Sequence, residues 1–342
     1  MKHAIRIASA FAFAALCLCT GAGAKIVTFE IPGSAGLYVT SVNDKEQVTG
    51  WYLDDRGHGF HGFFWQRGGA PVKFDVPPPV NNQHEYGEII TWPTGISAAG
   101  VISGWYYEPN GRVTAGFVRA ADGTITTYNI ANFTVPGGAN ERGWIVGDYS
   151  PALNMPVRAF LRDPSGTTHT FPMRGIKDSI FPSVVNRSRT IAGTAAVQSG
   201  NTFLPEAFIR PAHGSATLFG GVHRNVSVAG INDAGTVVGT FLDANHVAFV
   251  RTADGTLTTF QGPNGATDTQ AVGIDNSGTI AGGFWYANGG GHNFLRAADG
   301  TFTLFDIEGS VGSSISAMNG KGAVAGSYSI STGALFGFVG KP

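Results

Sequence analysis

A Val/Ile-x-Gly element returns along this chain like the marks of a ruler, and that recurrence restricts the fold more than any other feature. Its glycine stands at Gly50, Gly104, Gly147, Gly193, Gly239, Gly282 and Gly326, at intervals of 54, 43, 46, 46, 43 and 44 residues. Seven residues before each glycine is a turn former: Asn43, Ser97, Asn140, Asn186, Asn232, Asp275 and Asn319. Downstream come Phe63, Phe117, Phe160, Phe208, Phe249, Phe294 and Phe338. Eleven residues further on, in the first six copies, is a second aromatic: Phe74, Tyr128, Phe171, Phe219, Phe260 and Phe305.

Each copy parses as four short strands. In the sixth, QAVGID and TIAGGFWY flank the turn Asn276-Ser277-Gly278, HNFLRA follows, and Ala298-Asp299-Gly300 turns into TFTLFDI. Asn, Asp and Gly reach the positive φ that tight hairpins require. The strands are β-branched and aromatic, as a pleated, packed surface favours. Fifty glycines in 342 residues suit many such turns, and 11% aromatic content argues against disorder. Four strands per period of this length predict the blade of an all-β propeller.

The seventh copy lacks its fourth strand, because the chain ends at Pro342. The N-terminal segment KIVTFEIPGS reads like TFTLFDIEGS at 301–310, and Phe29 precedes Asn43 by the same 14 residues that separate Phe305 from Asn319. The expected fold is a seven-bladed β-propeller over 25–342, closed by the N-terminal strand (residues 25–32) completing the last blade. Such closure leaves no unpaired edge between the first and last blades.

Residues 1–24 read as a signal peptide. Lys2, His3 and Arg6 form a basic head, Ile7 to Cys19 an apolar run, and Ala22-Gly23-Ala24 a small-x-small cleavage site. Cys17 and Cys19 both fall there, so the chain after Ala24 has no thiol for a disulfide, a nucleophile or a metal. No later run is apolar and long enough for a transmembrane segment. Net charge is −1 with 13% charged residues, which gives no footprint for nucleic acid or anionic membrane. The expectation is an exported monomer, periplasmic or extracellular.

The repeat resembles the HAF-repeat family of exported bacterial proteins, in which an Asn-Asp-x-Gly turn, a Val-Gly strand and a His-Ala-Phe-like element recur. That element here reads His61-Gly62-Phe63, Arg158-Ala159-Phe160, Glu206-Ala207-Phe208, Val247-Ala248-Phe249 and His292-Asn293-Phe294. The resemblance covers 25–342 and implies an extracytoplasmic repeat protein. It carries over no activity and no catalytic residue.

Function is expected where the copies differ. The stretches expected to line the central channel, such as YVTSV, PTGI and AVGI, contain no ionisable side chain for acid–base work. The shared glycines are read as letting neighbouring sheets approach, and the aromatic pairs as inter-blade packing. One connection departs from the pattern: Phe74 to Ser97 spans 23 residues and carries PPPVNNQHEYGEIITW. It contributes His84 and Glu85 to the face where the first blade's LDDRGHGFH loop contributes Asp54, Asp55, His58 and His61. His58-x-x-His61 with Asp54 or Glu85 offers donors for a divalent cation but lacks a fuller ligand motif, so no metal or other cofactor is assigned. Trp51 and Trp105 occupy a slot that is Asp, Thr, Thr, Gly or Ser in the other copies. If exposed they are platforms for a sugar or a partner; inter-blade packing is the favoured reading.

The sequence holds no Gly-x-Ser-x-Gly elbow, phosphate loop, dinucleotide fingerprint or His-Glu-x-x-His. The leading expectation is a non-catalytic binding platform for a carbohydrate or another extracytoplasmic protein at the rim of blades 1 and 2. The competing one is a secreted hydrolase or lyase working through Asp54, Asp55, His58, His84 or Glu85. A third is a spacer or display module without a pocket.

Overall fold

The computed structural model describes residues 25–342 except 56–58, 78–88, 108–113, 153–154, 172, 174–175, 177–178, 201 and 222–224, and the side chains at 89 and 199. The proposed leader, 1–24, lies outside the described residues. The described residues form strands, turns and irregular connections, with no helix.

A short strand, β1 (Val27–Phe29), precedes the first unit: β2 (Ser34–Val42), β3 (Val48–Asp54), β4 (Gly59–Trp65) and β5 (Val72–Phe74). The second unit is β6 (Ile89–Ile96), β7 (Ile102–Tyr107), β8 (Thr114–Arg119) and β9 (Ile125–Tyr128). These two units form one eight-stranded sheet, spliced by parallel pairing of β4 with β6 at Gly59–Ile89 and Phe60–Ile90. Three four-stranded antiparallel sheets follow. They are β10 (Phe133–Ala139) to β11 (Ile145–Ser150), β12 (Arg158–Arg162) and β13 (Thr168–Phe171); β14 (Ile180–Val185), β15 (Ile191–Ser199), β16 (Thr202–Arg210) and β17 (Thr217–Phe219); and β18 (Val226–Ile231), β19 (Val237–Leu242), β20 (His246–Arg251) and β21 (Leu257–Phe260). The next contains β22 (Asp268–Ile274), β23 (Ile280–Trp285), β24 (Gly291–Arg296) and β25 (Phe302–Phe305). The last contains β26 (Gly312–Met318), β27 (Val324–Ser329) and β28 (Leu335–Gly340), and its fourth strand is β1.

β1 lies antiparallel to β28, with Val27 opposite Val339, Thr28 opposite Phe338 and Phe29 opposite Gly337. Lys25 N–H extends the ladder to Lys341 O at 3.0 Å. The innermost strands touch in succession, β2, β6, β10, β14, β18, β22 and β26, and β26 returns to β2. The sheets therefore stand in a closed ring.

Five of the seven turns between a first and a second strand are built around an asparagine whose amide reaches the next turn. At Asn43, Oδ1 accepts the N–H groups of Lys45 and Gln47, both at 3.0 Å, and Nδ2 donates to the carbonyl of Ser97 in the next turn at 2.7 Å. Asn140 reaches Asn186 O, Asn186 reaches Asn232 O, Asn232 reaches Asp275 O, and Asn319 reaches Asn43 O at 2.8 Å. Where Ser97 and Asp275 lack an amide, backbone N–H groups carry the link: Ala98 to Glu141 O and Asn276 to Gly320 O. A hydrogen-bonded belt of buried turn residues thus circles one end of the ring, which satisfies polar groups that water cannot reach.

The ruler glycines serve a purpose other than the one expected from the sequence. A Cβ at Gly239 would meet the Ser227 carbonyl oxygen of the bulged first strand, and the Phe249 ring at 2.6 Å. Gly50, Gly104, Gly147, Gly282 and Gly326 stand in the same relation to Phe63, Phe117, Phe160, Phe294 and Phe338. The missing side chain makes room within one sheet, for the ring of the adjacent strand, rather than between sheets.

Contacts between units have two components. The outer aromatic of one unit meets the third-strand phenylalanine of the next, as with Phe260 and Phe294 at 6.1 Å and Phe29 and Phe63 at 5.9 Å. An arginine at the end of the next unit's third strand lies over the same outer ring. Arg119 covers Phe74 at 5.0 Å, Arg162 Tyr128 at 4.4 Å, Arg210 Phe171 at 4.3 Å, Arg251 Phe219 at 5.1 Å and Arg296 Phe260 at 4.7 Å. Each such cation–π pair contributes about 0.5–1 kcal/mol or more where desolvated. At the closure the arginine position is Trp65, stacked on Phe29 at 4.4 Å.

Candidate functional site

The inner strands enclose a cavity of about 360 Å³ whose wall includes the hydroxyls of Thr40, Ser41, Thr94, Ser183 and Ser316. The cavity is lined from these hydroxyls to the turn residues, and the two ends of the strand ring differ in kind. At the turn end, the residue following each turn former is Asp44, Ala98, Glu141, Arg187, Asp233, Asn276 or Gly320. Arg187 reaches between non-neighbouring turns, with Nη2 2.6 Å from Asp44 Oδ2 and Nε 3.6 Å from Asp233 Oδ2. Lys321 Nζ lies 3.8 Å from the same Asp44 oxygen. Glu141 passes over the small Ala98 turn, and its Oε1 accepts Asp44 N–H at 2.9 Å. Burial, with the neighbouring Asp44 carboxylate, pushes Glu141 up to about 7. Asp233 N–H donates to Asn276 Oδ1 and Asn276 Nδ2 donates back to Asp233 Oδ2, both at 2.9 Å. Sequence reasoning gave the channel no ionisable group, because it considered the strands and not the turns that cap them. The signal was the variable residue beside each invariant turn.

At the far end, one step beyond the ruler glycines, the innermost strands carry Tyr38, Trp92, Val135 and Phe181 on one side of the ring. On the other side they carry Ser227, Gln270 and Ser314. Tyr38 and Phe181 are 45% and 42% exposed.

Trp51 and Trp105, singled out from sequence, belong to a continuous aromatic stack. Tyr38 lies on Trp51 at 4.1 Å, Trp51 on Trp92 at 4.5 Å, and Trp92 on Trp105 at 5.3 Å. Phe60 meets Trp51 edge-on at 5.1 Å, and Tyr107 meets Trp105 edge-on at 5.6 Å. Both faces of Trp51 are therefore covered. The indole packs the first unit against the second, and the open positions are the stack's ends, Tyr38 and the 44% exposed Tyr107.

The other sequence candidates separate. His61 Nδ1 sits 3.0 Å from both oxygens of Asp75, the ring is stacked on Tyr52 at 5.1 Å, and Nε2 is 3.9 Å from Asp54. His292 repeats the arrangement with Asp306 at 2.6 Å, so the repeat histidine ties the third strand to the residue following the fourth. Asp55 is exposed in the turn after β3. His58, His84 and Glu85 lie outside the described residues. Among the described residues no three His, Cys, Asp or Glu side chains gather as a metal site.

Two further groups escaped sequence reasoning. Asp148 occupies the slot of Trp51 and Trp105 in the third unit, and burial pushes its carboxyl up to about 7. On the polar side, His246 N–H donates to Asp268 Oδ1 at 3.0 Å and His246 Nδ1 lies 3.1 Å from Gln270 Nε2.

No protein-family model matches the chain, and no curated protein matches it. Solved structures do. A catalytically inactive variant of virginiamycin B lyase from Staphylococcus aureus, with quinupristin, aligns at 13% identity and TM-score 0.59, over 93% of this chain and 100% of that one. A streptogramin B lyase aligns at 14% and 0.57, over 92% and 97%. The β-propeller domain of the Trilobed protease from Pyrococcus furiosus aligns at 12% and 0.57, over 86% and 92%. At these identities the likeness shows the fold, a β-propeller, and nothing of the chemistry.

Proposed function

We propose that the chain is an exported propeller of seven blades, akin to the HAF-repeat proteins, that acts as a non-catalytic binding platform. On this reading the leader directs it to the periplasm or the medium, where a monomer engages its ligand at the far end of the channel. The ligand spans the edge where blades 1 and 2 meet. The contrast between the two ends carries the reading. At the turn end, Arg187 and Lys321 approach Asp44, Glu141 accepts the Asp44 N–H, and Asn276 pairs with Asp233, while Asp44 Oδ1 and Glu141 Oε2 are buried without a hydrogen-bond partner among the described residues. At the far end, Tyr38 and Tyr107 stand half-open to solvent at the two ends of a packed aromatic stack, and Phe181 is exposed on a separate unit. Exposed aromatic surface of this kind is where ligands and partners dock.

The test is capture of glycans and proteins by residues 25–342, compared with two variants. Tyr38→Ser/Tyr107→Ser is expected to lose the captured ligand, and Lys321→Ala at the turn end to retain it. Loss through Lys321→Ala alone refutes the assignment of ends. A lyase or hydrolase is the second reading. Asp148 favours it, since a carboxyl held near neutrality is suited to general-acid work. Incubation with quinupristin, the compound bound in the similar lyase structure, is expected to leave it intact. Turnover abolished by Asp148→Asn would establish the enzyme instead.

A further inference from the structure

Among the tryptophans near second-strand ends, Trp285 differs from Trp51 and Trp105. It is 39% exposed, and among the described residues no aromatic ring stacks on it. The indole lies over a glycine bed. A Cβ at Gly283 would be 3.1 Å from its Cη2, and one at Gly291 would be 2.6 Å from its Nε1. Gly283 holds the slot that Trp51 fills in blade 1, so here the ring folds back over the vacated position with one face down and the other toward solvent.

Register places polar groups beside it. Trp285 is paired with Asp268 and Gly283 with Gln270, and paired residues share a face of the sheet. His246, from the preceding blade, meets both: its backbone N–H donates to Asp268 Oδ1, and its ring Nδ1 faces Gln270 Nε2. Nδ1 also lies 3.5 Å from Asp268 Oδ1; in the tautomer that accepts from the Gln270 amide, the imidazole proton is on Nε2 and Gln270 keeps Oε1 and a second N–H. Asp268 Oδ2 accepts from Thr267 Oγ1 at 3.2 Å and has further lone pairs. An imidazole donor, an amide offering both a donor and an acceptor, and a carboxylate thus border one aromatic face. Each hydroxyl of a vicinal diol needs a donor and an acceptor, and a sugar ring's C–H face fits an indole.

We infer that this cluster at the far end of blade 6 is a seat for a neutral carbohydrate: Trp285 is the floor, and Asp268, Gln270 and His246 read adjacent hydroxyls. The Asp268 carboxylate disfavours acidic sugars, and among the described residues no Lys or Arg joins the cluster to offset it. The seat is on blade 6, at the same end of the ring as the blade 1 and 2 stack but apart from it; the inference adds a second contact and a ligand class to the far-end reading above and rests on it.

The test is titration of residues 25–342 against a panel of neutral disaccharides, matched uronic-acid disaccharides and deoxy analogues. Neutral members are expected to bind. Trp285→Ala should weaken them about ten-fold or more and Trp285→Phe much less, as stacking requires. Gln270→Ala and His246→Ala should erase the preference over the deoxy analogue. Thermal melts confirm that each variant is folded. Unchanged affinity in Trp285→Ala, preference for the acidic members, no binding by the panel, or capture of a protein partner alone each overturns the seat. If Tyr38→Ser/Tyr107→Ser loses binding while Trp285→Ala does not, the far-end reading stands and only the seat fails. If neither variant loses it, both fail.

Discussion

Asn186 offers a way to weigh the belt that circles the turn end. It is 4% exposed, and its side chain makes three hydrogen bonds. Oδ1 accepts Ser188 N–H at 3.0 Å and Thr190 N–H at 2.9 Å, and Nδ2 donates to Asn232 O at 2.9 Å. Replacement by alanine removes all three, and at about 1 kcal/mol each the expected cost is about 3 kcal/mol. Replacement by aspartate keeps both acceptor bonds and loses only the donor, the state that Asp275 already occupies in its own turn, for a cost of about 1–2 kcal/mol. A chain of this length gains about 0.7 kcal/mol/K of unfolding entropy, so the expected falls in melting temperature are about 4–5 °C and 2 °C. Calorimetry on the two variants decides it. An alanine variant within about 1 °C of the parent, or an aspartate variant as costly as the alanine one, would refute the belt as a source of stability.

Further outcomes follow from the same geometry. Glu141 and Asp148 are both held near 7, above their values in the unfolded chain, so the native state binds more protons and stability falls as pH rises from about 4 to above 7. Melting temperature against pH should show that slope, flattened in the Glu141→Gln/Asp148→Asn double variant. Below about pH 4 the sign reverses, because hydrogen bonds from Ser165 and Thr167 hold Asp163 down to about 2. Arg296→Met should lower stability by about 0.5–1 kcal/mol through loss of the contacts with Phe260 and Phe302, with a smaller cost when Phe260→Leu is already present; a double-mutant cycle reads the coupling. Gly239→Ala should be far more harmful than Gly312→Ala, since a Cβ at Gly239 collides with Ser227 O and Phe249 whereas the nearest atom to one at Gly312 is Ser329 Oγ at 3.7 Å.

The repeat was open to sequence reading because each element answers a local demand: Asn at the turn, glycine beneath the phenylalanine, an aromatic 11 residues on. Phe29 could be matched to Phe305 for the same reason, and β1 does pair with β28. Features set by neighbouring copies were not readable. Whether the Trp51 indole has a free face depends on Trp92, and the two are brought together by the β4–β6 splice. The arginines over the outer rings belong to the next copy, so no single repeat displays the pair. Trp285 lies open because Gly283 and Gly291, on two different strands, clear its bed. Glu141 finds Asp44 only because Ala98 leaves room between them.

The closed ring underlies both ends of the channel, and amide hydrogen exchange of residues 25–342 tests it most directly. The account predicts that the amides of Val27–Phe29 that are bonded to β28 exchange as slowly as those of β28 itself. Exchange of that segment at the rate of a free terminus, with β28 still protected, would contradict it.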